Sequence, residues 1–291
     1  MGEFNSVYSS IKHRKFNTWC NYTTRLDTYG CGCQHDCSYC YAKSLLNFRG
    51  LWKSSSPKVS NLFKIKESLR KHPKTEVIKL GGMTDCFMPL ELEKQITYET
   101  IKILNHYKIN YLIVTKSSIV TNEKYLSIYD KNLAHFQITI TGTNDNECLK
   151  YEHCTTVTER IKSIETLYNL GFDVSIRLSP FIIENTDISV INSIQCNKIL
   201  IEFLKVNHWV KKSFKIDYSK YSVKYGGYNH LTLDEKINQI KGITKNQISV
   251  GEYVYDHYLY FRENINFNKN DCCNLTLDIV KAKIYTQLEL F

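Results

Sequence analysis

Residues 30–42 read Gly30-Cys31-Gly32-Cys33-Gln34-His35-Asp36-Cys37-Ser38-Tyr39-Cys40-Tyr41-Ala42. Cys33, Cys37 and Cys40 stand as C-x3-C-x2-C in one tight loop, with an aromatic residue just before the last. Clustered thiolates are soft ligands and suit iron–sulfur, zinc or copper rather than hard cations. Three ligands on a four-iron cube leave one iron open to a small molecule, whereas a closed four-cysteine site mostly holds structure or carries electrons. Zinc takes four ligands, and Cys31 or His35 can supply the fourth, although Cys31 is too near Cys33 for a relaxed chelate.

The segments around this loop alternate in period. Residues 22–29, with Thr23, Thr24, Arg25 and Leu26, form a candidate first strand leading into it. A helix is predicted over 60–71, with Leu62, Ile65 and Leu69 on one face. Glu76–Leu80 reads as a strand ended by Gly81-Gly82, and 90–107 as a helix with Ile96, Tyr98, Ile101, Ile103 and Leu104 inward. Tyr111–Thr115 and His135–Ile140 are apolar strands. Thr156 and Glu159 make a capping box that opens a helix through Leu170, and Gly171 suits its C-terminal cap. Phe172–Leu178 follows as a strand, then a helix near 187–206 and a strand near 213–218.

This recurrence predicts an α/β chain of parallel strands with right-handed crossovers. About six strand–helix units fit before residue 245, fewer than the eight of a closed barrel. The expected division is an N-terminal extension over 1–21, a barrel over 22–245, and a C-terminal cap or extension over 246–291 packed on it. That last stretch mixes Tyr253, Tyr255, Tyr258, Tyr260 and Phe261, then carries the adjacent pair Cys272-Cys273.

The 291 residues suffice for one large core, and no apolar run is long enough to cross a membrane. Eleven cysteines without an apolar leader or secretory cleavage pattern predict a reducing cytoplasm, where free thiols and metal ligands survive. The Asn-x-Thr matches at Asn21 and Asn274 then carry no meaning, and the loose myristoylation pattern at Met1-Gly2 is read as chance. The formal net charge of +9 suits a polyanionic partner. It is equally the mark of a Lys-, Asn- and Ile-rich composition.

The cysteine loop, with Gly-Cys before it and Tyr-Ala after it, resembles that of radical S-adenosylmethionine enzymes, in the branch of spore photoproduct lyase and its uncharacterised relatives. The resemblance implies a partial (β/α)6 TIM-type barrel, open on one side, over essentially the whole strand–helix stretch. It implies that Cys33, Cys37 and Cys40 hold a [4Fe–4S] cluster, whose open iron takes the amino and carboxylate groups of S-adenosylmethionine. Reductive cleavage, driven by an external electron donor such as flavodoxin or ferredoxin, then yields a 5′-deoxyadenosyl radical that abstracts hydrogen from the substrate. Tyr39 is expected against the adenine.

In barrels of this kind chemistry collects where strands end. Gly81 and Gly82 let a ligand approach the backbone, and resemble the Gly-Gly motif that holds the amino group of S-adenosylmethionine. Met83-Thr84-Asp85-Cys86 follows, with Asp85 and Cys86 as catalytic candidates; Asp85 can equally cap the next helix. Thr115-Lys116-Ser117 resembles a Thr-Lys-Ser signature of the branch, and Lys116 with Ser117 can grip a carboxylate or phosphate. Thr139 and Thr141 share one side of a strand and can donate to ribose hydroxyls, or simply pack. Arg177, between Ser175 and Ser179, is the candidate for the methionine carboxylate, its alternative being an outward surface pair. Glu152 and Arg160 fall where the branch has Glu-Pro…Glu-Arg, with His153 in place of the proline.

Spore photoproduct lyase repairs a thymine dimer in DNA with a cysteine as hydrogen donor. The matching position here is Gly82, and Cys86 lies on the other side of Asp85, which argues against inheriting that reaction. The expected function is a radical enzyme acting on a substrate such as DNA or RNA. The alternatives are a peptide or small-metabolite substrate, or a non-enzymatic metal-cluster protein that binds nucleic acid.

Overall fold

The structure is a computed structural model and describes residues 3–4, 7–9, 20–22 and 24–275. Eight strands form one sheet in strict chain order: β1 (Val7–Ser9), β2 (Thr24–Leu26), β3 (Ile78–Leu80), β4 (Tyr111–Thr115), β5 (Ala134–Ile140), β6 (Asp173–Phe181), β7 (Lys198–Phe203) and β8 (Gln247–Val250). β1 is antiparallel to β2, and every later neighbour is parallel. Six parallel strands, β2 to β7, make the partial barrel, and β8 extends its edge. Parallel strands are covered on both faces and read as continuous apolar runs. Accordingly every residue of β5 is buried.

Helices α1 (Tyr41–Phe48) and α2 (Leu62–Arg70) lie between β2 and β3, α3 (Ile96–Tyr107) between β3 and β4, α4 (Val157–Asn169) between β5 and β6, α5 (Leu233–Ile240) between β7 and β8, and α6 (Tyr255–Asn264) after β8. The capping box at Thr156 and Glu159 forms as expected, and Gly171 follows α4 with a φ of +79°.

Three elements differ from the sequence reading. The helix expected over 90–107 breaks into Leu90–Lys94 and α3 at Gln95, whose φ is +54°. The break lets the buried Glu91 carboxylate cap α3, accepting from the Thr97 and Tyr98 amides at 3.0 and 2.9 Å. The helix expected near 187–206 is a short one, Ile188–Ser193, followed by β7. Ile199, Leu200, Ile201 and Phe203 form a short apolar run whose period suits either element. No strand occupies 213–218: Asn207 instead caps a helix, His208–Ser213, and the chain then loops to a hairpin, Val223–Tyr225 with Tyr228–His230, around Gly226-Gly227.

The strand starts are closed by two distant segments. Cys20, Tyr22, Cys272, Cys273 and Leu275 pack against Val77, Leu112 and Leu200. The Tyr22 hydroxyl donates to Asp271 at 2.6 Å, and Lys198, the first residue of β7, reaches the Asn274 carbonyl at 3.0 Å. The opposite end, where the strands finish, is left for the cysteine loop.

Candidate active site at the strand ends

Because β2 to β7 are parallel, every loop that follows a strand emerges at the same edge. The cysteine loop follows β2, Gly81-Gly82 follow β3, Lys116 follows β4 and Thr141 follows β5. Tyr29–Gly30 pairs with Lys58–Ser60, which brackets the base of the cysteine loop. Gly32 lies so close to the Lys53 carbonyl that a Cβ there would stand 2.1 Å from the oxygen, so this position admits only glycine.

Cys33 and Cys37 are buried, and Cys40 is half-buried at the N-cap of α1, its thiol accepting from the Lys43 amide at 3.4 Å. Tight turns run from the Asp36 amide to Cys33 and from the Cys40 amide to Cys37, both at 3.2 Å. All three thiols are free. Burial pushes Cys33 up to about 12 and raises Cys37 and Cys40 as well. A metal must therefore displace their protons. Among the described residues no three His, Cys, Asp or Glu side chains already converge on an ion-sized point. In donor type and number the set still suits an iron–sulfur group: three soft thiols in one short loop, with Cys31, at φ +55°, and Cys154, whose charge acts on Cys37, outside the run.

Asp85 ties this loop to the sheet. One carboxylate oxygen accepts from the Phe87 amide at 2.8 Å and the Thr115 hydroxyl at 2.7 Å. The other accepts from the Lys116 amide at 2.7 Å and lies 3.3 Å from His35 Nε2. Burial works to raise the Asp85 carboxyl, but His35 and these donors outweigh it and hold it down at about 2. A carboxylate so fully engaged is a poor proton acceptor, and its work is to position His35 and the Lys116 backbone.

A buried ion pair supports the aromatic residue of the motif. Glu152 and Arg160 are each about 1 % exposed and meet at 2.5 Å. Arg160 also donates to the Thr139 carbonyl at 3.0 Å, and Thr141 donates to Glu152 at 2.9 Å. The Tyr39 hydroxyl donates to the second Glu152 oxygen. Burial works to raise the Glu152 carboxyl, but Arg160 and Lys116 hold it below the usual range. The Tyr39 ring packs edge-on to Tyr151 and Phe214, at 5.9 and 5.7 Å between centroids. The Lys116 ammonium sits 5.7 Å over its face. No carboxylate among the described residues pairs with that ammonium. Its charge is favoured nonetheless: burial lowers it, but Cys37, Glu152 and their neighbours raise it further.

The other expected residues are placed differently. Arg177 is not a surface cation; it donates to Gln137 at 2.5 Å and forms an ion pair with Glu202, which Ser179 also contacts at 2.7 Å. Its charge is already answered, so it is a weaker receptor for an incoming carboxylate than Lys116. The Ser117 hydroxyl accepts from the Ile119 amide at 3.3 Å and caps a short helical turn. Thr141 is committed to Glu152, and Thr139 is buried beneath Arg160. Cys86 is 1 % exposed and lies in the core, so a catalytic role lacks the access it needs. Gly81 has a φ of +82° and a Cβ there would stand 2.3 Å from the Val114 carbonyl. The Gly82 carbonyl accepts from the Tyr41 hydroxyl at 2.8 Å.

Sequence reading missed Glu202 and Asp27. Asp27, just after β2, accepts through one oxygen from the Gly82 and Met83 amides, both at 2.9 Å, while its other oxygen is buried without a hydrogen-bond partner. Burial pushes its carboxyl up to about 6. An aspartate in the unfolded chain ionises near 3.9, so Asp27 favours folding less as pH rises from about 4 through 6, by about 3 kcal/mol in all. Asp27→Asn is expected to remove that slope. Urea unfolding at pH 4, 5 and 7 measures it, and an unchanged slope would show that the second oxygen has a partner in solution.

A family model for the Radical SAM superfamily matches residues 28–195. An uncharacterized protein of Methanocaldococcus jannaschii is 26% identical over 227 residues, covering 72% of this chain and 83% of that protein. Among solved structures, spore photoproduct lyase with bound AdoMet and dinucleoside spore photoproduct superposes with a TM-score of 0.58 at 13% identity, covering 84% of this chain and 80% of that one. A further mutant of that lyase gives 0.61 at 14% identity over 87% and 80%. SuiB of Streptococcus suis, bound to its precursor peptide SuiA, gives 0.56 at 12% identity over 84% and 53%. These superpositions show a shared fold.

Proposed function

Because the chain belongs to the radical SAM superfamily, we propose that Cys33, Cys37 and Cys40 hold its [4Fe–4S] cluster and that Lys116 seats the carboxylate of S-adenosylmethionine. When bound, the cluster and S-adenosylmethionine together supply a 5′-deoxyadenosyl radical that takes hydrogen from a substrate. The protein's part is to bind, orient and exclude competing reactions. The observation that carries the assignment is the convergence at one sheet edge of a three-thiol loop, a Gly-Gly turn and an ammonium without an ion pair. His35, held by Asp85, and Tyr39, held by Glu152, fix the loop from two sides. Spore photoproduct lyase shares this fold, and a place in its branch is part of the same reading.

Lys116→Ala is expected to weaken S-adenosylmethionine binding by about 1.5–3 kcal/mol, with iron content intact, because a charge-assisted contact is lost. Titration of the cofactor followed by cluster EPR measures this. Unchanged affinity would return Lys116 to a packing role over Tyr39.

For the substrate we favour nucleic acid. The +9 charge, the open-sided barrel and the fold shared with a lyase solved with a dinucleoside support this reading. Gly82 stands where the lyase has its hydrogen-donating cysteine, so the reaction differs in its hydrogen source. Binding of short DNA and RNA across a salt series tests the affinity, which should fall steeply with salt. Deuterium transfer into 5′-deoxyadenosine from deuterated nucleic acid then tests turnover. Transfer from a deuterated peptide instead would favour a peptide substrate, the class of molecule to which SuiB is bound.

A further inference from the structure

The outer face of the cysteine-loop helix is unusual for a molecule of this charge. Leu45 and Phe48 of α1 and the following Leu51 are 44 %, 78 % and 51 % exposed. Beside them lies a cleft of about 260 Å³, lined by Cys31, Leu51, Trp52, Lys53 and Lys58 among others. The cleft reaches the cysteine loop directly. The Lys53 amide donates to the Cys31 carbonyl at 2.9 Å, and the Trp52 indole donates to Ser54, whose hydroxyl donates to Asp36 at 2.5 Å.

The charge on this segment is one-sided. Lys43 is answered by Asp36 at 2.7 Å, but from Cys37 to Lys66 the chain also carries Arg49, Lys53, Lys58, Lys64 and Lys66, with no aspartate or glutamate between them. Arg49, Lys53 and Lys58 are exposed. An apolar centre with a charged rim is the anatomy of a protein interface rather than of a phosphate-tracking groove, which has no use for an exposed Leu45 and Phe48. A rim of one sign steers a partner of the opposite sign and raises its association rate.

We propose that this face, α1 with the cleft over residues 50–58, docks an acidic one-electron donor protein, of the flavin or iron–sulfur kind, and delivers its electron to the cysteine loop. The proposal rests on the requirement for a reductant in the function proposed above. Cys40 caps the same helix whose outer side the donor covers, and Cys31 of the loop lines the cleft. The donor accepts no atoms in the step; it is oxidised by one electron and the site is reduced by one.

The test uses reconstituted protein and two probes, an acidic flavodoxin and a [2Fe–2S] ferredoxin. Binding is read by titration calorimetry at two salt concentrations, independent of turnover. Lys53→Glu with Lys58→Glu, and separately Phe48→Ser, should each weaken binding of at least one carrier by tenfold or more, and added salt should weaken it in the unaltered protein. Cleavage of S-adenosylmethionine driven by dithionite should stay within twofold in both variants, whereas cleavage driven by the carrier should fall at least tenfold. Failure of dithionite-driven cleavage in the unaltered protein counts against the proposed function and leaves the binding result to stand by itself. The docking proposal is overturned if the unaltered protein binds neither carrier, or if both variants bind like it. It is also overturned if the variants lose short duplex DNA while holding the carrier.

Discussion

Replacement of Cys33, Cys37 and Cys40 together by alanine is expected to abolish iron and sulfide uptake on anaerobic reconstitution, and with it all formation of 5′-deoxyadenosine. The unaltered protein should take up four irons and four sulfides under the same conditions, because among its cysteines only this loop presents three thiols at ligand spacing. Of the remaining eight, Cys31 and Cys154 lie beside the loop, each outside its C-x3-C-x2-C run, and the other six lie elsewhere. Cys86, Cys148 and Cys196 are buried apart in the core, and Cys20, Cys272 and Cys273 lie at the strand starts, across the barrel from the loop. The fold should survive the triple change. Cys40 caps α1 only through a weak thiol contact, and the loop is also held by backbone turns and by His35 on Asp85. Circular dichroism on the apo forms checks that point. Iron and sulfide analysis with cluster EPR checks the main one, and four irons retained by the variant would remove the loop from the metal site.

What could be read from residue order alone depended on how local each feature is. The cysteine loop is legible because its three thiols are close in sequence, Lys116 because it stands at the end of an apolar strand, and Asp85 because it follows the Gly81-Gly82 turn. The parallel order of the sheet followed from the alternation of periods. Arg177 is legible as a cation on a strand, but its partner is not visible in the sequence. Glu202 lies on β7, inside a run read as helix, and only the pairing of β6 with β7 brings the two together. Asp27 gave no signal at all. Its environment is made by the amides of Gly82 and Met83, more than fifty residues away, and by burial that no motif encodes. The thiol of Cys86 was legible as a neighbour of Asp85, whereas its access is a property of packing. Glu152 and Arg160 carry a lyase-like pattern, yet their burial against Tyr39 emerges only when α4 folds back on β5.

That pair leads to the largest expected effect on stability. Arg160→Met should destabilise the protein by about 3–5 kcal/mol at neutral pH, since it leaves Glu152 as a buried charge without its cation. On a domain of this size that loss lowers the melting temperature by roughly 10 °C. The sign of its pH dependence distinguishes this cause from simple loss of packing. In the unaltered protein Arg160 and Lys116 hold the Glu152 carboxyl below its ordinary range, so its stabilisation is present at neutral pH and fades as acid protonates it. In the variant burial acts with Arg160 removed, the carboxyl shifts the other way, and the deficit should shrink as pH falls toward the ordinary glutamate value of about 4.3. A second change, Glu152→Gln, made on the Arg160→Met background, should recover much of the loss, because it removes the stranded charge while keeping one acceptor oxygen, for Tyr39 or for Thr141. Urea unfolding of the three proteins at pH 7 and pH 4.5 completes the comparison. A loss below 1 kcal/mol for Arg160→Met, or a deficit that does not change with pH, would mean that the guanidinium serves only to fill space. If the deficit behaves as expected, Tyr39 is positioned by electrostatics carried from α4 through Glu152, and the geometry of the cysteine loop depends on a charge pair that touches none of its thiols.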